Sequence, residues 1–308
     1  MEMLSLAEFV PDRAAEEAVV RALDEMRRVY TNQGCLDELQ GAVADVVMSP
    51  DPQVVHAHRA EVCRDHFVML HAAETDCVPL FRLRIEDVGD RSNLEFFLQE
   101  AGLHGAARVI RYLGEQGADV NAVQNDNQRM TALHWAVYQL HSDAVAALIA
   151  HPEIDLERVD ARGRTALDLA LHRRGHTESA ELLAAAGARI SPDTVVSVAR
   201  SQGLPFVEIV LRHGADPNAY GPKTGIAPLH AAVSTHHLFT VQRLLQAGAD
   251  PLLPTRRIFR ARGVKYPRGA TPLDYLDLAD PGGINPAWPP ALRELLTRAV
   301  AERTQERG

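Results

Sequence analysis

Lysine is nearly missing from this chain of 308 residues: Lys223 and Lys265 stand alone among 32 basic side chains, and the rest are arginine. Together with abundant alanine, this composition points to a GC-rich, bacterial coding sequence. A sharper reading is that a lysine-poor protein escapes ubiquitination inside a host cell. Cysteine is sparse too: Cys35, Cys63 and Cys77 all precede residue 90, and an odd, small set reads as reduced thiols in a cytosol rather than a disulfide framework. Aromatic residues are 5% of the chain, so any core must be aliphatic. No run approaches the roughly 18 apolar residues of a membrane-spanning helix. Met1-Glu2-Met3-Leu4 is neither basic nor the start of an apolar run, so no secretory signal is expected and the expected location is cytoplasmic. There is no Walker loop, Rossmann fingerprint, GxSxG or HExxH, and no cofactor is expected.

Apolar residues make up 46% of the sequence, enough for a continuous core. The net charge of −9 is unevenly spread. Residues 1–90 carry 18 acidic and 8 basic side chains, whereas residues 91–308 carry 23 and 24. The acidity is a property of the first ninety residues; such a field tunes association rather than fold.

A short pattern recurs through the remainder. Thr131-Ala132-Leu133-His134, Thr165-Ala166-Leu167-Asp168, Ala227-Pro228-Leu229-His230 and Thr271-Pro272-Leu273-Asp274 open successive segments. Gly117-Ala118-Asp119, Gly214-Ala215-Asp216 and Gly248-Ala249-Asp250 close them, with Gly187-Ala188-Arg189 as a near copy. Openings and closings at a period of about 33 residues are the mark of a stacked repeat. From about Ser92 onward the sequence resembles the ankyrin-repeat family. The resemblance implies an all-α solenoid of about six helix pairs, a helical N-terminal region over residues 1–90, and a C-terminal capping helix at Ala291 to Arg303. It also implies a hairpin turn before each pair, an N-capping Thr, and a His at the fourth position that ties neighbouring turns together. The first unit, about Glu95 to Asn121, opens poorly. The fourth is read as opening at Thr194, without the usual Pro and His, after a truncated turn.

Ala227 and Thr271 are 44 residues apart, about ten beyond the period. The inserted finger, 253–269, contains six basic residues and no acidic one, with Phe259 and Tyr266 between them. A solvated loop, a protein contact, a nucleic-acid contact and a fold-back onto the acidic region are all open readings. Arg and aromatic side chains favour protein hot spots, while a single basic loop on an acidic chain is a poor footprint for nucleic acid.

In the family, partners lie across finger tips and the exposed ends of first helices. By position, this implies Arg129, Tyr138 and Gln139 from the second unit and Arg162, Arg164, His172 and Arg173 from the third. Tyr220 and Lys223 come from the fifth. The long finger adds Arg256, Arg257, Phe259, Arg260, Arg262, Tyr266 and Arg268. Their charge suggests a protein partner with an acidic patch and an apolar anchor; a membrane is not expected and nucleic acid is disfavoured.

The first ninety residues show no repeat. Apolar spacing predicts helices over Ala14 to Val29, Cys35 to Met48 and Gln53 to Ala73, and a short strand or helical turn at Phe81 to Ile85. His56, His58, Cys63, His66 and His71 are metal-ligand types, but His58 and His66 share a helical face with Val62 and Met69, so packing outweighs a metal site or a Cys/His nucleophile pair. Trp135 is read as core. The chain is therefore expected to be a non-enzymatic binding module, either a bacterial immunity or antitoxin-like protein or an effector docking a host protein. An enzyme with a small N-terminal catalytic region is the third class.

Overall fold

The computed structural model describes residues 66–87, 89–123, 127–172, 176–201, 204–261, 264–279 and 290–307. The helices expected over Ala14 to Val29 and Cys35 to Met48, most of the third, and His56, His58 and Cys63 lie outside them.

The chain forms two compact units. The first holds residues through Asp126 together with Met130–Ile154. Its described helices are α1 (His66–Glu74), α2 (Val78–Arg82), α3 (Leu94–His104), α4 (Ala107–Glu115), α5 (Ala132–Tyr138) and α6 (Ser142–Ile149). Leu83–Asp87 continues from α2 as a π turn, so the segment at Phe81 is helical and not a strand. α3 and α4 pair, as do α5 and α6; α3 packs on α5 and α4 on α6. α1 covers the other side of α3. The pairs approach closely because Gly102 lacks a side chain: a Cβ there would meet the Ala132 carbonyl oxygen at 2.6 Å. Phe97, Leu98, Ile110, Leu113, Leu133 and Leu148 fill the interior.

The second unit holds Asn127–Arg129 and Asp155 onward. Its helices are α7 (Ala166–Leu171), α8 (Thr177–Ala185), α9 (Pro192–Ser201), α10 (Leu204–Arg212), α11 (Pro228–Ser234), α12 (Leu238–Gln246), α13 (Pro272–Ala279) and α14 (Pro290–Arg307). First helices α7, α9, α11 and α13 pack in series, and second helices α8, α10, α12 and α14 form a parallel row. The expected C-terminal cap is thus also the second helix of the sixth pair. Its inner face buries Leu292 and Leu296.

The repeat motif acts through hydrogen bonds that the sequence pattern encodes. Thr131 and Thr165 cap α5 and α7, accepting from the His134 and Asp168 N–H groups, an arrangement worth about 1 kcal/mol per cap. The fourth residue then reaches onward. Asp168 Oδ2 accepts from Thr165 N–H at 3.2 Å, and its Oδ1 accepts from the Thr194 hydroxyl, one repeat away, at 2.6 Å. His230 Nδ1 accepts from Ala227 N–H at 3.3 Å and its Nε2 donates to the Ala270 carbonyl at 3.2 Å. Asn121 and Asn218 donate to the Glu153 and Gly248 carbonyls, one repeat on, at 2.7 and 2.9 Å.

The fourth unit corrects the expected register. Ser191 Oγ accepts from Thr194 N–H at 3.2 Å, and Pro192 begins the helix. The opening is therefore Ser191-Pro192-Asp193-Thr194, with Thr194 in the place of the motif His. Proline at the first turn costs nothing, because its missing N–H would have had no helical partner. The preceding turn is shorter than the Thr194 register implied.

Candidate functional site

The inserted finger is where the second unit departs most from its own repeat. It closes into an antiparallel hairpin, β1 (Phe259–Ala261) and β2 (Val264–Tyr266), with Phe259 opposite Tyr266, Arg260 opposite Lys265 and Ala261 opposite Val264. Alternation along a strand sends neighbours to opposite faces. One face turns inward: Tyr266 is 1% exposed and Phe259 half-buried. The Tyr266 ring stacks on Tyr275 of α13, with centroids 3.8 Å apart, and Phe259 lies 6.0 Å from Tyr275 at 17°. His230 meets Tyr275 edge-on at 5.3 Å. Thr255 closes the base, donating from N–H to the Ala270 carbonyl at 2.9 Å and from its hydroxyl to the Pro267 carbonyl at 2.8 Å.

The other face carries Arg260 and Lys265, and the finger's exposed side is cationic. Arg256, Arg257, Arg260, Lys265 and Arg268 are exposed, and among the described residues no carboxylate forms an ion pair with any of them. The reason is compositional: residues 251–273 contain no acidic side chain. Ile258, 58% exposed, supplies an aliphatic surface beside them.

This finger is clasped to the one before it. The Arg256 guanidinium lies 3.9 Å over the Tyr220 ring, and the Tyr220 hydroxyl donates to the Pro254 carbonyl at 2.7 Å. Arg256 N–H donates to the Gly225 carbonyl at 2.9 Å, and Arg257 Nη1 reaches the Lys223 carbonyl at 3.5 Å. Gly225 has φ +71°, and a Cβ on it would strike the Arg257 stem at 2.8 to 3.1 Å. Only glycine permits both the turn and the contact.

The structure thus gathers Tyr220, Lys223, Arg256, Arg257, Phe259, Arg260 and Arg268 onto adjacent fingers. Two expected contact residues have other work. Tyr266 is buried against Tyr275, because β alternation puts it on the inward face. Arg164 forks onto Asp160 Oδ2 through Nε and Nη2, at 2.9 and 2.6 Å. Burial of Asp160 opposes its charge, but the Arg164 guanidinium and the N–H groups of Arg164 and Arg162 outweigh it and hold the carboxyl below its ordinary range. Arg162 is exposed. His172 is exposed and joins two pairs, with Nδ1 2.6 Å from the Asp168 carbonyl and Nε2 2.9 Å from Ser197 Oγ. Arg129, exposed at φ +51°, precedes α5. Arg173 and Arg262 lie outside the described residues.

Tyr138 and Gln139 are exposed on the first unit. Trp135, expected in the core, is half-buried and meets Tyr138 edge-on at 6.0 Å. Sequence reasoning does not single out Lys265 or Ile258: the β register that exposes Lys265 has no signal stronger than alternation over three residues, and Ile258 lies just before β1. His66 packs against the Phe96 and Phe97 rings at 5.0 and 5.7 Å, and no group of three metal-ligating side chains occurs among the described residues. No described helix is long and apolar enough to cross a membrane.

Comparison with known proteins agrees with this geometry. A family model described as ankyrin repeats, in three copies, matches residues 97–194, and a single ankyrin-repeat model matches 224–256. The B-cell lymphoma 3 protein homolog of Mus musculus is 29% identical over 58% of this chain and 42% of its own length. A putative palmitoyltransferase, ZDHHC13 of Danio rerio, is 26% identical over 52% of this chain and 25% of its own. The chain thus spans less than half the length of either relative. Among solved structures, the ankyrin repeat domain of Bcl-3, a member of the IkappaB protein family, superposes with a TM-score of 0.55 at 25% identity, covering 67% of this chain and 92% of that one. An ankyrin repeat domain from Acinetobacter baumannii gives 0.50 at 25%, over 60% and 99%. The human ASB11 ankyrin repeat domain gives 0.50 at 20%, over 75% and 96%, a likeness of fold alone.

Proposed function

We propose that this chain, an ankyrin-repeat protein by its matches over residues 97–194 and 224–256, binds a protein partner through the adjoining fingers of its second unit. A protein-interaction module is what such repeats form. The observation that carries the specific reading is the exposed side of the finger, where Arg256, Arg257, Arg260, Lys265 and Arg268 have no carboxylate partner among the described residues while Ile258 is left open. Uncompensated cations speed encounter with an acidic surface, and an aliphatic side chain beside them gives that surface an anchor. Arg162, Tyr220 and Lys223 extend the contact.

The role this supports best is occlusion, in which the partner's acidic site is covered by the fingers, as an immunity protein covers a toxin. Arg257, Arg260 and Arg262 replaced by Glu should slow association with the partner and flatten its salt dependence. Unchanged binding at low salt would dismiss the finger as the contact.

A further inference from the structure

The hairpin breaks a rule of sheet stability. Arg260 and Lys265 stand directly opposite each other on β1 and β2, both exposed. Directly opposed residues have Cβ atoms about 4.5–5.5 Å apart, and like charges in that position destabilise the pair. Among the described residues no carboxylate forms an ion pair with either. The inward face carries the stability instead, through Phe259, Tyr266 and Tyr275. A local violation compensated elsewhere is the usual form of a functional position.

The aromatic rings decide which anion belongs there. Single-stranded nucleic acid is held by bases stacking on open ring faces. Here Tyr266 and Phe259 are stacked inward and the Tyr220 ring is covered by Arg256. The apolar group left exposed is aliphatic, Ile258. That surface suits a peptide.

We infer that Arg260 and Lys265 form a two-pronged clamp for an acidic peptide segment of the partner, its neighbouring carboxylates bridging the two cations and an aliphatic side chain resting on Ile258. The inference rests on the finger being the contact surface. Binding then relieves the cross-strand repulsion, so the ligand stabilises the hairpin, and through Tyr266 and Tyr275 it stabilises the sixth helix pair.

The test uses the full chain and a fluorescein-labelled peptide of alternating Asp and Leu, read by anisotropy, with thermal unfolding of each protein. Lys265→Glu turns the repulsive pair into an attractive one. Its unfolding temperature should hold or rise while peptide affinity falls roughly tenfold or more. Lys265→Gln should fall between it and the original. Peptide should raise the unfolding temperature of the original protein and not of Lys265→Glu. Equal peptide affinity in Lys265→Glu and the original overturns the clamp. If reversal of Arg257 and Arg268 abolishes that same binding, the finger reading stands without the clamp. An original protein that ignores the peptide at low salt removes both. Tighter binding of an oligothymidylate than of the peptide overturns the peptide assignment.

Discussion

The rings of Tyr266 and Tyr275 lie 3.8 Å apart and within 9° of parallel. One belongs to the inserted hairpin and the other to the first helix of the sixth pair, so the insertion is bolted to the array by its inward face. Tyr266→Ala should cost about 3 kcal/mol, as truncation of a buried aromatic does, and urea unfolding would measure it. Arg260→Glu, on the opposite face, should stay within about 0.5 kcal/mol of the original. Equal costs for the two would mean that the hairpin is not anchored by its aromatic face.

The Tyr275 hydroxyl is buried without a hydrogen-bond partner among the described residues, and burial pushes its pKa up. Removing an unsatisfied buried hydroxyl is neutral or favourable. Tyr275→Phe should therefore leave stability unchanged or raise it by up to about 1 kcal/mol. A comparable loss in chemical denaturation would contradict the unsatisfied state.

His230 gives the array a pH dependence. Burial pushes its pKa down from 6.5 to about 4, against the opposing hydrogen bond to the Ala270 carbonyl. Nδ1 accepts from Ala227 N–H, and protonation would break that bond. The unfolded chain therefore holds the extra proton between pH 6.5 and about 4. The contribution is complete above the upper value and is lost as pH falls toward the lower one, by linkage on the order of 3 kcal/mol. Melting curves across that window should show a decline that His230→Gln reduces. An identical slope in the variant would assign the decline to other groups.

Gly102 is a helix glycine whose added Cβ would meet a backbone oxygen at 2.6 Å rather than a movable side chain. Helix propensity alone favours Gly102→Ala by roughly 1 kcal/mol. Contact between α3 and α5 should reverse that sign, with a net loss of about 1–3 kcal/mol from overpacking. A stabilised variant in thermal or chemical unfolding would show that the helices can separate at no cost.

The register of the fourth unit has its own test. If Ser191 caps α9, Ser191→Ala should cost about 1 kcal/mol, and Ser191→Asp should keep most of it. Thr194→Val should also lose stability, because its hydroxyl bridges to Asp168. A silent Ser191→Ala in equilibrium unfolding would restore Thr194 as the cap.

The helix pairs were legible because each motif residue acts locally. A capping Thr, a fourth-position His or Asp and a closing Gly-Ala-Asp make their bonds within a few residues, or to the identical place one repeat on. The fourth unit opens three residues before the expected Thr194, because Ser191-Pro192 is a capping signal that the repeat spacing alone does not reveal. The finger is legible as an insertion, as a basic segment and, through the resemblance, as a hairpin turn, but its strand register and buried face are not. Three-residue strands carry too little alternation to announce themselves, so the sequence does not reveal that Tyr266 faces inward and Lys265 outward.

Repeat period, helix caps and the excess of positive charge in the finger follow from residue order alone, since each depends on spacing along the chain. Which face of the finger is buried does not. Tyr266 meets Tyr275, Arg164 meets Asp160, and Arg257 meets Gly225 only after the elements have stacked. Long-range packing gave Arg164 a carboxylate and set Arg256 over the Tyr220 ring, and it left Arg260 and Lys265 facing solvent.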